Sequence, residues 1–488
     1  MASLDEIRAT RLAKLKLLQD KGLNPYPVSA RMDVTLREAT EGFPKLLKKK
    51  ELYLVGRVMA LRGQGGLVFA DLFDGTGKFQ ALLKKDEIGD ELFDLWSTTV
   101  DIGDFVEVAG TLFLTKRNEK TLQVKKWRML SKSLRPLPEK WHGLTDVEER
   151  FRKRYLDTLM NEEVRNRFIL RSRIISALRA SLDKEGFLEV ETSMLQSLAG
   201  GASAEPFTTH HNALDINLNL RIAPELDLKK LLIGGYPKIY EIGRSFRNEG
   251  IDVTHNPEFT TIEWYEAYSD AERERAFIEK MFRALVKQVK GEMTITFDGA
   301  TVDFEKPFSV LTYFEALQRY ALIPTPEKAT LDELSLKAKQ LGVSVAPSDS
   351  AQKIMDSIFK KAVRPKLLQP TYVISYPKGM IPLAKEEEKG GGIDAFQFYA
   401  GGLELIKAFS ELNDPIEQAR RFNTEEGNRK VGDKEAQPND KDFVEALEYG
   451  MPPAGGVGMG IERLMMLLSD VKNIREVIFF PTLRPKSE

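Results

Sequence analysis

The stretch YEIGRSFRNEGIDVTHNPEFTTIEWYEAY, residues 240–268, decides the fold of the larger part of the chain. Two runs of alternating residues flank the polar segment 250–257, which predicts two β-strands joined by a loop. With a period of two, one face of the second strand carries Phe259, Thr261, Glu263 and Tyr265. Arg247 ends the first strand, and its guanidinium can hold a phosphate or a carboxylate bidentately. A salt bridge or a core aromatic explains each residue alone, but the combination indicates a binding site.

Strand and helix patterns continue on both sides of this hairpin. Alternating patterns recur at 218–223, 236–247, 258–266, 372–376 and 402–411. A helix is predicted at 162–184, and its apolar face carries Val164, Phe168, Ile175, Leu178 and Leu182. It leads into the strand FLEVET, and a helical stretch at about 328–362 looks like an insertion. Residues 161–488 therefore predict one large α+β domain.

The region before it has a different character. Residues 52–130 contain five short strand-like runs, namely ELYLVGRVMAL, GLVFADLF, KFQALL, DFVEVAGTLFL and LQVKKWRML. Five short strands in about 80 residues are typical of a small Greek-key barrel such as an OB-fold. DGTGKF lacks the glycine spacing of a phosphate loop and predicts a hairpin turn. We therefore expect a helix at 4–20 within an N-terminal lead-in (1–50), a barrel (51–135) and a proline-bearing linker (136–160).

Composition excludes several classes of protein. The 488 residues are 42% hydrophobic and 30% charged, with a net charge of −1, four His and no Cys. Disulfides, a thiolate nucleophile and a cysteine zinc site are thus impossible. No apolar run is long enough to span a bilayer or to form a signal-peptide core, so we expect a cytoplasmic protein without a membrane partner. Basic residues gather early, and a solvated helix face explains them as well as an RNA contact does: Arg8, Arg11, Lys14, Lys16 and Lys21.

Several blocks together resemble one family. FRNEG followed by THNPEFTTIEWYEAY is similar to motif 2 of class II aminoacyl-tRNA synthetases in its lysine-specific form. GVGMGIERLMML, residues 456–467, resembles motif 3, and the helix 162–184 with GFLEVET resembles motif 1, the dimer-forming element. LAGGASAEPFTTHHNALD, LRIAPEL and FSELNDP resemble further blocks of the lysyl enzymes, in the same order. The resemblance covers roughly residues 3–486, whereas GGVGMG does not fit the G-x-G-x-x-G of a Rossmann site.

This resemblance implies an OB-fold anticodon-binding domain followed by an antiparallel-sheet catalytic domain, working as a homodimer on tRNA(Lys), lysine and ATP with Mg²⁺. Arg247 would hold the ATP α-phosphate and the lysine carboxylate, and Arg463 the γ-phosphate side. Phe259 and Arg463 would enclose the adenine, and Glu404 would bind magnesium. The remaining implied nucleotide-site residues are Glu249, His255 and Asn256.

The resemblance also implies a lysine pocket and an anticodon site. Glu225 and the backbone near Gly201 would take the α-amine, and Glu411 with Tyr265 would meet the ε-ammonium. Arg247, Glu263, Lys407 and Phe409 complete the implied lysine-binding set. An aspartyl enzyme would instead need a cationic pocket. In the barrel, Phe69 would stack on an anticodon base and Gln80 would bond to its edge, with Glu119 and Arg62 as further candidates.

The chain departs from the family pattern at four positions. Ser193 stands where a proline is usual, and Asp227 where a tyrosine is usual. Gln397 replaces a metal-binding glutamate, and Lys407 replaces an asparagine that contacts the substrate carboxylate. Our hypothesis is that Lys407 binds the lysine carboxylate or an ATP phosphate and replaces part of the divalent-ion requirement; the alternative is a salt bridge from Lys407 to Glu404 or Asp227.

One local feature follows from strand periodicity. A strict period of two puts Lys407, Phe409 and Glu411 on one face and Glu404 on the other. We therefore expect a bulge or a twist near residues 401–402, which brings Glu404 to the shared face.

Two rival functions stay open at this stage. A tRNA-binding or regulatory paralogue could keep the fold and lose adenylation. Four retained residues argue against it, namely Arg247, Glu249, Glu404 and Arg463. A class II enzyme could also have drifted to a lysine analogue, helped by Asp227 and Lys407. Amino-acid-dependent pyrophosphate exchange distinguishes these alternatives.

Overall fold

The computed structural model of the chain describes residues 3–138, 144–346, 349–430 and 436–486. Two compact units divide the chain between Thr145 and Asp146. In the described residues no helix is both long and apolar enough to cross a membrane. Each unit has its own hydrophobic core.

The first unit is a closed five-stranded barrel with strand order β1-β2-β3-β5-β4. Its strands are β1 (Leu52–Gln64), β2 (Leu67–Phe73), β3 (Lys78–Lys84), β4 (Phe105–Leu114) and β5 (Lys120–Ser131). Its helices are α1 (Leu4–Asp20), α2 (Leu36–Glu41), α3 (Phe43–Leu46), α4 (Lys85–Ile88) and α5 (Asp90–Thr99). The order and the closure confirm the predicted OB-fold. The predicted hairpin turn also forms, because the Asp74 carboxylate accepts the N–H groups of Thr76 and Gly77.

Helix α1 has the predicted bounds, and its buried side chains are Arg11 and Leu18. Leu4 and Leu12 are exposed, whereas Arg11 is buried. The Arg11 guanidinium donates to the carbonyl oxygens of Ile102, Ser133 and Arg135, which satisfies the buried charge. Lys14 pairs with Asp101 at 2.6 Å. Arg11 and Lys14 are therefore engaged by the protein itself, and buried Arg11 fits neither a solvated helix face nor an RNA contact.

The second unit is built on an eight-stranded sheet with order β14-β15-β16-β17-β18-β11-β10-β6. Its strands are β6 (Leu188–Glu189), β10 (Lys238–Phe246), β11 (Glu258–Ala267), β14 (Ser309–Thr312), β15 (Thr371–Tyr376), β16 (Ile393–Ala400), β17 (Leu403–Ser410) and β18 (Ala454–Gly460). Smaller sheets use β7 (Leu195–Gln196), β8 (Thr208–His211), β9 (Ile216–Leu220), β12 (Thr294–Phe297) and β13 (Ala300–Asp303). The six strands from β15 to β10 in this order pair antiparallel. This confirms the predicted α+β fold class.

Helices surround the sheet. They are α6 (Val147–Arg152), α7 (Arg154–Met160), α8 (Glu162–Lys184), α9 (Glu225–Ile233), α10 (Ala271–Lys290), α11 (Tyr313–Ala316), α12 (Leu331–Gln340), α13 (Ala351–Ile358), α14 (Pro415–Lys430), α15 (Lys441–Glu448) and α16 (Ile461–Ser469). Short 3₁₀ turns lie at Pro326–Lys328, Arg364–Lys366 and Ile474–Val477, and π-helical turns lie at Leu317–Ala321 and Phe359–Val363. Helix α8 matches the predicted bounds 162–184. Residues 147–160, which we assigned to the linker, instead form α6 and α7, because Phe151, Arg154 and Asp157 are buried there; residues 139–143 of that linker lie outside the described residues.

Strand β18 was not predicted from the sequence. Its residues AGGVGMG are rich in glycine, which weakens an isolated strand. In the sheet, β18 lies between β11 and β17 and pairs with both over its length. A β-carbon on Gly456 would overlap the side chains of Glu411 and Tyr265. Glycine is needed here because the neighbouring side chains occupy the space above the strand.

Candidate active site

One cross-strand row forms the centre of the candidate site. Gln397 pairs with Lys407, Lys407 with Gly458, Gly458 with Glu263, and Glu263 with Glu241. Residues directly opposite each other in a sheet point to the same face. We call this row, on four neighbouring pairs of strands, the floor. Because Gly458 has no side chain, the floor is open between the cation Lys407 and the carboxyl of Glu263.

Buried carboxylates and one buried lysine lie beside the floor, and we call Glu225, Lys229 and Glu411 the acidic end. Lys229 is fully buried and pairs with Glu225 at 2.6 Å and also with Glu411. Burial opposes its charged form, but the two carboxylates outweigh burial and raise the pKa of Lys229. The Phe409 ring lies 5.4 Å from the Lys229 Nζ, which adds a cation–π contact.

Glu263 faces the same space and differs in its electrostatics. Burial raises the pKa of Glu263 to about 8, and the charge of Glu225 adds to this effect. The Tyr265 hydroxyl donates to Glu263 at 3.2 Å, and Arg247 and Arg221 also oppose the rise in pKa. Glu263 therefore holds a proton near neutral pH that an incoming cation can displace.

Hydrogen-bond donors lie on the floor and next to it, and we call Arg247, Gln397 and Lys407 the donor end. The Arg247 guanidinium lies over the Phe259 ring at 5.1 Å from its centroid. Its Nε is buried and has no hydrogen-bond partner within the described part of the chain. Burial lowers the pKa of Arg247, and Arg463 adds to this effect, while Glu249, Glu263 and Glu404 oppose it. A buried, unpaired guanidinium N–H is suited to an anionic ligand.

Arg463 is held by two neighbours. Its guanidinium donates to His255 Nε2 at 3.2 Å and to the carbonyl oxygen of Glu404 at 3.3 Å. Since arginine can only donate, His255 accepts at Nε2 and carries its proton on Nδ1, which lies 2.9 Å from Asp252. The Arg463 guanidinium also lies 3.9 Å from the Glu404 carboxylate. Arg463 is therefore positioned without being fully neutralised.

Lys407 and Gln397 behave differently from family expectation. The Lys407 side chain is exposed at the floor, but desolvation by the surrounding protein lowers its pKa, while the charges of Glu404 and Glu225 oppose this. The alternative, a salt bridge from Lys407 to Glu404 or Asp227, does not form in the described residues; Asp227 instead accepts from Gln196 at 3.1 Å and lies 3.8 Å from Lys230. Gln397 uses its side-chain oxygen to accept the hydroxyls of Tyr376, at 2.8 Å, and Tyr399.

Strand β17 contains the predicted irregularity. The pairing with β16 steps from Phe398–Ile406 to Tyr399–Glu404, so Leu405 is an extra residue. Such a bulge turns the strand and re-aims the following side chains. It lies three residues from the expected position at 401–402, and it brings Glu404 within electrostatic range of Lys407.

Comparison with known proteins agrees with this geometry. Residues 146–484 match the family model described as tRNA synthetases class II (D, K and N), and residues 52–130 match an OB-fold nucleic acid binding domain. The chain belongs to the class II tRNA synthetase family of the D, K and N type. A lysine–tRNA ligase of Moorella thermoacetica is 46% identical over 485 residues, covering 99% of each chain. Those of Carboxydothermus hydrogenoformans and Pelotomaculum thermopropionicum are 45% and 44% identical, over 99% of this chain and 99% and 96% of their own.

Most residues implied by the family resemblance lie around the floor. Gly201 has a φ of +87°, and a β-carbon there would lie 3.0 Å from that of Glu225. Asn256 is buried and donates to the Glu258 carbonyl oxygen at 2.7 Å, leaving its Oδ1 without a partner in the described residues. Glu249 is exposed on the loop after β10 and acts on Arg247 through its charge.

The synthetase barrel presents its implied residues on one outer face. Ala70 and Leu72 are buried in the barrel core, so the alternating residues Phe69 and Asp71 point outward. Gln80 lies opposite Asp71, and its side-chain oxygen accepts from Thr121 at 2.9 Å. Arg62 pairs with Asp71 at 2.7 Å, so it is already engaged by the protein. Glu119 is exposed just before β5. The structure thus brings Phe69 and Gln80 to one surface and leaves Glu119 at its edge.

The most important residue that sequence reasoning missed is Lys229. Glu225 and Lys229 are four residues apart, a spacing that forms ion pairs on a helix. That signal was present in PELDLKK. It gave no hint of Glu411, which is brought to Lys229 only by the pairing of distant strands.

Proposed function

We propose that the chain attaches L-lysine to tRNA(Lys) through a lysyl-adenylate and releases pyrophosphate and AMP. The observation that carries this proposal is the acidic end together with Glu263 and Tyr265. A buried ammonium group needs a counter-charge, so this pocket favours a substrate with a cationic side chain over aspartate or asparagine. The names of the relatives support the same amino acid.

The roles in lysine binding follow from this arrangement. Glu225, with the backbone near Gly201, takes the α-amine. Glu411 and Tyr265 meet the ε-ammonium, and Glu263 supplies a further carboxylate when the ligand displaces its proton. Phe409 packs beside the aliphatic part of the substrate. Together these groups satisfy both ends of a diamine, which a neutral amino acid cannot do.

Nucleotide binding uses the donor end and its neighbours. Arg247 holds the α-phosphate, and Phe259 with Arg463 encloses the adenine, while Glu249, His255 and Asn256 complete the site. A lysine carboxylate oxygen attacks the α-phosphorus, the bond from the α-phosphorus to the bridging oxygen breaks, and pyrophosphate leaves. A terminal ribose hydroxyl of the tRNA then attacks the lysyl carbonyl carbon, and AMP leaves. Such steps depend mainly on positioning and charge neutralisation.

Magnesium fits this site only in part. No group of three or more His, Asp or Glu that could hold a metal ion occurs in the residues that the structure describes. The Glu404 carboxylate, together with phosphate oxygens of ATP, is a suitable ligand set for Mg²⁺, which would neutralise phosphate charge. Gln397 does not fit this role, because its side-chain oxygen already accepts two phenol hydroxyls.

The barrel and the assembly complete the proposal. Phe69 would stack on an anticodon base and Gln80 would bond to its edge, with Glu119 nearby. We also propose a homodimer that works in the cytoplasm, where translation takes place. Exposed apolar side chains in motif 1 and in the segment that follows it support the dimer: Leu188, Met194, Leu195, Leu198 and Ile216.

Pyrophosphate exchange with a panel of amino acids tests the amino-acid assignment, and charging of tRNA(Lys) tests the second step. We expect exchange with lysine that exceeds exchange with aspartate and asparagine by at least about a thousandfold. No exchange with any amino acid would favour the regulatory paralogue. Strong exchange with an analogue and weak exchange with lysine would favour a changed specificity.

A further inference from the structure

Lys407 differs from the other lysine of the site because it has no protein partner. In the parts of the chain for which positions are described, it makes neither a hydrogen bond nor an ion pair. Glu404 and Glu225 lie within electrostatic range, yet neither holds it. Lys229, in contrast, is paired with two carboxylates. An unpaired ammonium on the floor is available to a ligand.

Gln397 lies directly opposite Lys407 on the neighbouring strand, and it also offers a hydrogen-bond donor. The hydroxyls of Tyr376 and Tyr399 both donate to its side-chain oxygen. An amide oxygen has two acceptor positions, and the two phenols use both. The free end of the side chain is therefore the NH₂ group, which can only donate. A metal ion needs an oxygen at this position, whereas an anion needs donors.

We propose that Lys407 and the amide group of Gln397 form a subsite for an anionic substrate oxygen, and that this subsite takes the place of one divalent cation. The inference deepens the proposed function and rests on it. Lysine binding by the wild-type chain is measured in the same series. Failure of that binding would count against the proposed function, and failure of the effects below counts against this inference alone.

The position of the subsite indicates which oxygens it meets. Only the α-carbon separates the ammonium of an amino acid from its carboxylate, so an α-amine at Glu225 puts the carboxylate near Lys407. Arg247, proposed to hold the α-phosphate, also lies within electrostatic range of Lys407. The carboxylate and the α-phosphate meet at this point during adenylation. Both offer the same chemistry, a partly or fully charged oxygen.

Calorimetric titration of Lys407→Gln distinguishes the two sources of this oxygen. The ligands are L-lysine, lysinamide, ATP and AMP. If the subsite holds the carboxylate, lysine affinity falls about 10- to 100-fold and lysinamide affinity does not, since one charged hydrogen bond is lost. If it holds the α-phosphate, the affinities for ATP and AMP both fall by a similar factor. Unchanged affinity for all four ligands would overturn the subsite.

Two control variants separate direct contact from a general effect of charge. Lys407→Arg keeps a cationic donor, and we expect affinities within a few-fold of the wild type. Lys360 is a second lysine near Glu404, but it is exposed and pairs with Asp356 at 2.7 Å. Lys360→Gln is therefore expected to leave the ratio of lysine to lysinamide affinity unchanged. An equal effect of Lys360→Gln and Lys407→Gln would overturn direct contact.

Counting bound manganese tests the replacement of a cation. Mn²⁺ is titrated in the presence of lysine and a non-hydrolysable ATP analogue and is followed by electron paramagnetic resonance. The double variant Gln397→Glu/Lys407→Asn restores an oxygen ligand and removes the fixed charge. We expect it to bind one Mn²⁺ more than the wild type. Equal numbers of bound Mn²⁺ would overturn the replacement, and the thermal unfolding midpoint of each variant establishes that it is folded.

Discussion

At the acidic end, Lys229 is fully buried and pairs with Glu225 and Glu411, whereas Lys407 at the donor end is exposed and has no partner among the described residues. Lys407 belongs to the floor, and Lys229 lies beside it. Their environments differ because the ammonium group of Lys229 is fully buried, whereas that of Lys407 is exposed. A charge removed from water must be compensated by the protein, whereas a hydrated charge needs no protein partner and remains available to a ligand.

This difference separates stability from binding. The ion pairs of Lys229 hold two carboxylates of the pocket in place, so its removal should affect folding as well as lysine binding. Lys407 contributes no such contact, and its removal should affect ligands alone. Substituting either lysine and measuring both the free energy of unfolding and the lysine affinity therefore tests this difference.

The largest effect is expected for Lys229→Met. This substitution leaves Glu225 and Glu411 buried without a counter-charge, and breaking a buried pair in this way costs about 3–5 kcal/mol. Urea unfolding at neutral pH measures the loss. Lys230→Met is the matched control, because Lys230 is half-exposed and lies 3.8 Å from Asp227; its expected cost is below about 1 kcal/mol. A similar small cost for both variants would mean that Lys229 does not stabilise the acidic end.

The sequence alone predicted the family, the two strands of the hairpin and most residues around the floor. Periodicity predicted β10 and β11, and the family resemblance implied that Arg247, Glu263, Glu411 and Arg463 belong to one site. Sequence could not give the cross-strand register, which puts Lys407 opposite Gln397 and leaves Gly458 between Lys407 and Glu263. Register depends on packing between strands that are distant in the chain.

The features that the sequence did not predict also depend on contacts between distant parts of the chain. Strand β18 is made stable by its two neighbours and not by its glycine-rich sequence. Likewise, the hydrogen bonds from Tyr376 and Tyr399 occupy the side-chain oxygen of Gln397, and no local sequence pattern reveals them. The substitution of Asp227 for a tyrosine and that of Ser193 for a proline have no structural explanation here.

A smaller effect is expected from the titration of Glu263. Burial, with the charge of Glu225, raises its pKa to about 8, while Tyr265, Arg247 and Arg221 oppose the rise. If the cationic substrate binds the carboxylate form, lysine affinity should rise by about tenfold per pH unit between about pH 6 and pH 7.5. Calorimetry in buffers of different ionisation enthalpy should detect the released proton.

The variant Glu263→Gln provides the control for this titration. Its lysine affinity should be weaker and nearly independent of pH in the same window. The sign for stability is the reverse of that for binding: the unfolded carboxyl loses its proton near its ordinary pKa of 4.5, and the folded one keeps it until about pH 8. The contribution of Glu263 to stability is therefore greatest below pH 4.5 and declines as the pH rises to about 8. A pH-independent lysine affinity in the wild type would contradict the assignment.

The smallest effect is expected for Asp227→Asn, which tests where the acidic end stops. Asp227 belongs to the same helix as Glu225 and Lys229, and charge alone would make it part of the pocket. However, its contacts are Gln196 at 3.1 Å and Lys230 at 3.8 Å, and its side chain is partly exposed. Exposed charges of this kind contribute about 0–1 kcal/mol, so lysine affinity should change by less than about fivefold. A larger loss, measured by the same calorimetric titration, would extend the acidic end to Asp227 and would mean that burial is not what separates binding carboxylates from surface ones.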